Sequence, residues 1–259
     1  MFLKPNWPAP AGIKALCTTR QGGVSRPPFD SFNIATHVGD NLDDVMTNRH
    51  LLVERAKLPA EPFWLDQQHT DEAIHLTNPQ NTQTELSQTL TPPIADASWT
   101  TQAGLVSVVM TADCLPVLIT NQAGTLVAAI HAGWKGLQKG IVTKTVAAFA
   151  SREDCQSEQL LAWIGPAISL KHFEVGQDVL DAFVQSDEAN KAFFHQVEGL
   201  QGKYLADLVG LVTKELNEIG ISAVYGGDHC SYAESDLFYS YRLSGVTGRM
   251  ASMIWIEPI

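Results

Sequence analysis

The sequence is poor in cysteine: four in 259 residues, at Cys17, Cys114, Cys155 and Cys230, with no CxxC pair. That spacing excludes a disulfide framework and any zinc site built on a CxxC knuckle. Basic runs are also missing. Lys and Arg number 17 against 28 Asp and Glu, for a net charge of -11. Nucleic-acid binders neutralise phosphates with clustered Lys and Arg, so neither nucleic acid nor an anionic membrane is expected as a partner. No stretch reaches the roughly 18 apolar residues of a membrane span. The N-terminal MFLKPNWPAPAGIKALCTTR is broken by Pro5, Pro8 and Pro10 and lacks the apolar core of a signal peptide. A cytoplasmic protein is the expectation. There is no HxH pair, which argues against an oxygen-reducing copper cluster, and no internal repeat. The zinc-deaminase signature H-x-E with P-C-x-x-C is absent as well.

What is present reads as an ordinary globular chain, 45% hydrophobic, long enough to bury a large core. Residues 13–19, IKALCTT, predict a first strand, followed by a Gly- and Pro-rich loop. Asp40 to Lys57 has the spacing of a helix. PFWLDQQH, residues 62–69, predicts a short strand ending at His69, and 78–93 a polar surface loop. VSVVMT, LPVLIT and TLVAAIHAG are strands, the last two joined by NQAG in a hairpin. Helices are expected over 136–150, 176–186 and 204–219, the last stopped by Gly220. LLAWIG, ISAVYGG and RMASMIWI are further strands. Strands in consecutive runs favour α+β over a doubly wound α/β fold. The polar stretch does not separate two cores, so a single domain over 1–259 is expected.

MTADCLPVLITNQAGTLVAAIHAGWKG, residues 110–136, places Cys114 and His131 at the ends of apolar strands. Thiolate and imidazole are the usual zinc ligands. A nucleophile–base dyad is the alternative, and two ordinary core residues a third. A catalytic thiolate needs a helix N-terminus or a cation. Pro116 and the strand after Cys114 argue against the helix, and Asp113 would raise a free thiol's pKa. A divalent cation forces deprotonation, so the balance favours metal. Spacing alone does not select the third ligand. His69 in WLDQQHT is a candidate, whereas His50, His75 and His195 read as surface residues. His172 and the DHCS segment, Asp228 to Ser231, read as structural. His2Cys with a weak axial Met is a blue-copper set, and Met110 is near in sequence. Arg20 and Arg49 flank a glycine-rich segment and could hold an oxyanion; Lys135 and Arg242 are further cations.

The blocks TTRQGGVSRPPFDSFNIATHVGDN, WLDQQHT, ADAS, MTADCLPVLI, AAIHAGWKG, WIGPAI, FEVG, GGDHCSY, FYSYR and GRMASMIWI together resemble the YfiH-like family. This is the laccase-domain, or polyphenol-oxidase-type, purine nucleoside phosphorylase family. The resemblance runs the length of the chain. It implies an α+β domain with mixed β-sheets packed against flanking helices. It implies one Zn(2+), with Cu(2+) as the alternative, held by His69, Cys114 and His131. It further implies phosphorolysis of adenosine, inosine and methylthioadenosine, with adenosine deaminase activity. The substrates would be a small purine nucleoside and phosphate; as an extrapolation beyond the resemblance, Arg20 and Arg49 are expected to orient the phosphate and Asn33 and His37, in the SFNIATH block, to lie on the substrate side. A copper-dependent polyphenol oxidase and an amide hydrolase editing peptidoglycan precursors are the alternatives attached to the family. The sequence sets no expectation of oligomeric state.

Overall fold

Three sheets carry the structure, and their order follows from alternation along the strands. The computed structural model describes residues 1–77, 91–150 and 156–258. The first sheet has four antiparallel strands in the order β1-β2-β13-β5: β1 (Phe2–Leu3), β2 (Ile13–Thr18), β13 (Met250–Ile256) and β5 (Val106–Thr111). The second has six strands in the order β12-β8-β6-β7-β4-β3: β12 (Ala223–Gly226), β8 (Leu160–Ile164), β6 (Leu115–Asn121), β7 (Val127–Ala132), β4 (Ala97–Thr100) and β3 (Ala73–His75). It is mixed, with parallel pairs at both edges and antiparallel pairs between. A small antiparallel sheet, β10-β11-β9, joins Phe194–Gln196, Lys203–Ala206 and Glu174–Gly176.

The two large sheets stack face to face, and helices cover the outsides. Successive strand side chains point to opposite faces, so each strand serves two cores. On β6, Leu115, Val117 and Ile119 face one core and Leu118 the other. On β5, Val109 faces the six-stranded sheet, while Val106, Val108 and Met110 face outward with Leu16, Met253 and Trp255 of their own sheet. That outward face is covered by Phe32, Ile34 and Leu52, the last on helix α1 (Leu42–Ala56). The far face of the six-stranded sheet is covered by four helices. These are α2 (Trp134–Gln138), α3 (Ile141–Phe149), α4 (Gln177–Ser186) and α5 (Leu208–Glu218). A short helix, α6 (Tyr241–Ser244), precedes the last strand. Strands buried on both faces read as near-continuous apolar runs, which is why VSVVMT and LPVLIT are so hydrophobic. The expected α+β class, with mixed sheets against flanking helices, is met. Among the described residues no helix is long and apolar enough to cross a membrane.

Local chemistry sets the element ends. Asn41 caps α1, its Oδ1 accepting from the Asp43 and Asp44 amides, and Lys57 closes it in the left-handed region at φ 52°. The hairpin at 121–124 forms as its NQAG signal predicts. Asn121 Oδ1 accepts from the Thr125 and Leu126 amides, and Gly124 takes φ 70°. Three expectations need correction. The strand over 62–69 is a loop with two isolated bridges, Phe63 to Ser107 and Asp66 to Ile94. The helix over 136–150 is two helices, because Gly140 takes φ 80° between them. The helix over 204–219 begins at Leu208, where Asp207 caps it; Tyr204 and Leu205 belong to β11, paired on both sides. Strands β1, β3 and β4 and the small sheet β9–β11 were not foreseen. Most of the polar loop expected at 78–93, residues 78–90, lies outside the described residues, as does Cys155.

Candidate metal centre

Three segments bring the predicted trio together. Cys114 closes the tight turn between β5 and β6, where Asp113 sits in the left-handed region at φ 85°. Asp tolerates that conformation better than most residues because its short polar side chain bonds locally. Here its Oδ1 accepts from Ser231 Oγ at 2.6 Å and its Oδ2 from the Arg242 amide at 2.6 Å. His131 lies one residue from the end of β7. His69 lies on the loop before β3, also left-handed, at φ 58°. Gln67 ties this loop to β5 by mimicking a strand partner: its Nε2 donates to Met110 O at 2.9 Å and its Oε1 accepts from Met110 N at 2.7 Å. The ligand atoms of His69, Cys114 and His131 all lie within 4.8 Å of one another. His69 Nε2 is 3.6 Å from Cys114 Sγ.

Asp96, fully buried between β4 and this loop, organises the cluster. Its Oδ1 accepts from His131 Nδ1 at 2.7 Å and from the His69 amide at 3.1 Å. Its Oδ2 accepts from the Gln68 amide at 3.3 Å and from Thr70 N and Oγ1 at 2.6 and 2.7 Å. One carboxylate thus fixes the His131 tautomer, leaving Nε2 free to bind, and clamps the backbone that carries His69. Carboxylate partners of this type orient metal-bound imidazoles. Burial opposes ionisation of Asp96, but the hydrogen bonds from His131 and Thr70 outweigh it and hold its pKa down at about 2. Burial also opposes the Cys114 thiolate. The adjacent His131 and His69 outweigh that as well, lowering the thiol to about 6 and, reciprocally, raising His131. Each group thus favours the charged form of the other in the metal-free site. Gly133 makes the approach possible: a Cβ there would lie 2.4 Å from His69 Cδ2 and 3.1 Å from Cys114 Sγ.

The donor set fits a metal ion. One soft thiolate already inclined to ionise and two imidazoles within reach are a three-ligand arrangement that leaves a coordination position for another molecule. Among the described residues no fourth His, Cys, Asp or Glu joins the group. Cys230 instead accepts from the Ser169 and Ala233 amides, and His229 bonds Glu234, as expected of structural residues. The trio faces a cavity of about 480 Å³. Trp134, Ile168, Phe173 and Tyr241 supply apolar wall, and His37, Arg242 and Arg249 supply cations and donors.

The other predicted residues scatter. His37 lines the cavity, its pKa lowered by burial and by the charge of Arg249. Arg20 does not. Its guanidinium is spent on Asp30 O, the Asp30 carboxylate and Ser235 O, over the Tyr239 ring. Arg49 donates to Ile34 O and stacks 4.0 Å from the Trp64 ring centre. Asn33 is wholly buried, donating to Ala35 O and Asp40 and accepting from the Ala35 and Arg249 amides. These three brace loops rather than line the cavity. Sequence reasoning passed over Asp96, Gln67, Gly133 and Arg249. The ADAS block, the Gln two residues before His69, the Gly following HA and the Arg in GRMASMIWI were their only traces.

Residues 14–257 match the family described as multi-copper polyphenol oxidoreductase laccase. The chain belongs to this laccase family. Curated relatives include a Shigella flexneri protein named purine nucleoside phosphorylase YfiH, 45% identical over 98% of each chain. A Haemophilus influenzae purine nucleoside phosphorylase is 46% identical over 98% of this chain and 99% of its own. Among solved structures, a Neisseria meningitidis protein superposes with a TM-score of 0.88 at 43% identity, covering 99% of both chains. The family resemblance read from the sequence is therefore met. The laccase description points to a metal, and the His-Cys-His group is where the described residues can hold one.

Proposed function

We propose that the chain, acting as one domain over 1–259, is a zinc-dependent purine nucleoside phosphorylase that also deaminates adenosine. The observation that carries this reading is the convergence of His69, Cys114 and His131 at one end of an aromatic-walled, cation-bearing cavity. The names of the full-length relatives support it. Zinc is preferred to copper because one thiolate and two imidazoles with an open position match its catalytic sites, and because the chain lacks HxH pairs. When bound, the ion supplies Lewis acidity and fixed positive charge at the cavity floor.

The protein's own groups do the rest. Phe173, Tyr241, Ile168 and Trp134 offer flat apolar surface for a purine and exclude water from it. Arg242 and Arg249 offer positive charge, and His37 a ring N–H donor, to a phosphate held beside the sugar. Asp96 keeps His131 and the His69 loop in place, so no reorganisation is needed during reaction. In phosphorolysis a phosphate oxygen bonds to ribose C1′ as the bond to the base breaks. The base leaves with the electron pair and takes up the proton that hydrogen phosphate gives up. Inosine, adenosine and methylthioadenosine share the groups this requires.

The test is product analysis on zinc-loaded protein prepared without copper. Ribose 1-phosphate and free base should appear only with phosphate, and His69→Ala, Cys114→Ala and His131→Ala should each lose both zinc and activity. Base release that ignores phosphate would refute the phosphorylase. A second reading, an amide hydrolase with Cys114 as nucleophile, draws on the mutual favouring of thiolate and imidazolium in the metal-free site. It requires an acyl group trapped on Cys114 from a peptidoglycan precursor. A polyphenol oxidase requires copper in the purified protein and oxygen uptake with a phenol.

A further inference from the structure

A chain with a net charge of -11 repels anions at long range. The cavity reverses that sign. Two cations, Arg242 and Arg249, line it against one carboxylate, Asp113, with His37 as a further polar group whose charged form burial disfavours. Both Asp113 oxygens are already occupied, by Ser231 Oγ and the Arg242 amide, and neither pairs with a guanidinium.

Arg249 is held with unusual care. Its amide donates to Asn33 Oδ1 at 3.0 Å. The chain just before it passes so close to its neighbours that a Cβ at Gly248 would lie 2.6 Å from Tyr239 Cζ and 2.9 Å from Asn33 Cβ. Its Nη1 donates to Thr247 O at 2.9 Å and Gly248 O at 3.0 Å. Carbonyls orient a guanidinium without neutralising it. No carboxylate among the described residues forms an ion pair with Arg249. Burial disfavours its charge, and the charges of Cys114 and Asp113 only partly compensate. The Arg249 guanidinium also lies 5.9 Å from the Tyr241 ring centre, but no carboxylate fully offsets the charge, so this partly buried cation is costly and a bound anion offsets that cost. Three other arginines differ: Arg20 is paired with Asp30, Arg49 is stacked closely on Trp64 at 4.0 Å, and Arg242 lies at the exposed rim with Nη1 on Glu174 O.

We infer that Arg249 is the oxyanion anchor of the cavity, holding phosphate toward the His69–Cys114–His131 floor and so governing the use of phosphate rather than of nucleoside. The inference rests on the phosphorylase reading for its substrate, but its binding test does not. Asn33 enters as the positioning residue for Arg249, which is how a wholly buried amide comes to matter at the site.

The experiment compares zinc-loaded wild type with Arg249→Met and Arg249→Lys, each with its zinc content measured. Two quantities are read: the KM for inorganic phosphate at saturating inosine, and direct calorimetric titration with inorganic phosphate. Arg249→Met should raise the phosphate KM by about tenfold or more, the equivalent of one or two charge-assisted hydrogen bonds. The inosine KM should move far less, and Arg249→Lys should recover part of the loss. Should Arg249→Met fold poorly or lose zinc, Arg249→Lys carries the same comparison, since a point charge cannot reproduce the fork. Unchanged phosphate KM and unchanged phosphate binding overturn the anchor. Ribose 1-phosphate formation insensitive to both variants overturns the anchor and leaves the phosphorylase standing. Phosphate binding that depends on Arg249 without ribose 1-phosphate formation upholds the anchor and removes the phosphorylase.

Discussion

Adding one methyl group at Gly133 should disable the metal centre while leaving the fold intact. The backbone there, φ -68° and ψ 156°, is open to any residue, so Gly133→Ala introduces no backbone strain. The obstacle is contact. The new Cβ would lie 2.4 Å from His69 Cδ2, 2.8 Å from His69 Nε2 and 3.1 Å from Cys114 Sγ. Carbon atoms prefer about 3.5–4.0 Å, so the imidazole must withdraw by about 1 Å. It cannot carry its backbone along, because the His69 amide is held by Asp96 Oδ1 at 3.1 Å and its carbonyl by Lys139 Nζ at 3.0 Å. The ring therefore leaves the common point of the three donors. Disturbing a ligand's orientation costs about 10- to 100-fold in metal affinity, and a 1 Å misplacement costs about 100-fold in rate. Overpacking beside an open cavity should cost only about 1 kcal/mol of stability. Zinc affinity is measured by competition with a chromophoric chelator, and folding by thermal unfolding. Gly12→Ala is the control, since an added Cβ there meets nothing within 4 Å. A folded Gly133→Ala protein with wild-type zinc affinity would refute the reasoning, because His69 would then not be a ligand.

Asp96→Asn tests the clamp through pH. The carboxyl ionises at about 2 in the fold against an ordinary 3.8. A depressed folded pKa gives stability that is complete above the unfolded pKa and disappears as pH falls through the folded one. In metal-free protein the urea-unfolding gap between wild type and Asp96→Asn should be about 2 kcal/mol near neutral pH and close by about pH 2. A gap independent of pH contradicts this. Thiol labelling tests the electrostatics. Cys114, lowered to about 6, should react with iodoacetamide at neutral pH in metal-free protein, and zinc should protect it. Cys17, fully buried and pushed up to about 12, should stay unlabelled until the protein unfolds. Equal labelling of the two by peptide mass spectrometry, or no protection by zinc, would count against the site.

Helix α1, the β6–β7 hairpin and the buried strands β5, β6 and β13 were legible in the sequence. Each is specified by alternation, helical spacing or turn residues within a few positions. Cys114 and His131 were visible for the same reason, as reactive side chains at the ends of apolar strands. His69 as the third ligand came from family resemblance, not from spacing. What only the tertiary structure decided is which loops meet. Asp96 gathers the His69 loop and His131 from positions 27 and 35 residues away. Asn33 and Gly248 set Arg249 at the cavity, while Arg20 and Arg49, equally basic, were drawn off to Asp30 and Trp64. Secondary structure is written in short-range periodicity, but an arginine's role depends on whether a carboxylate or an aromatic ring reaches it first. That partner comes from distant chain and exists only once the sheets have packed.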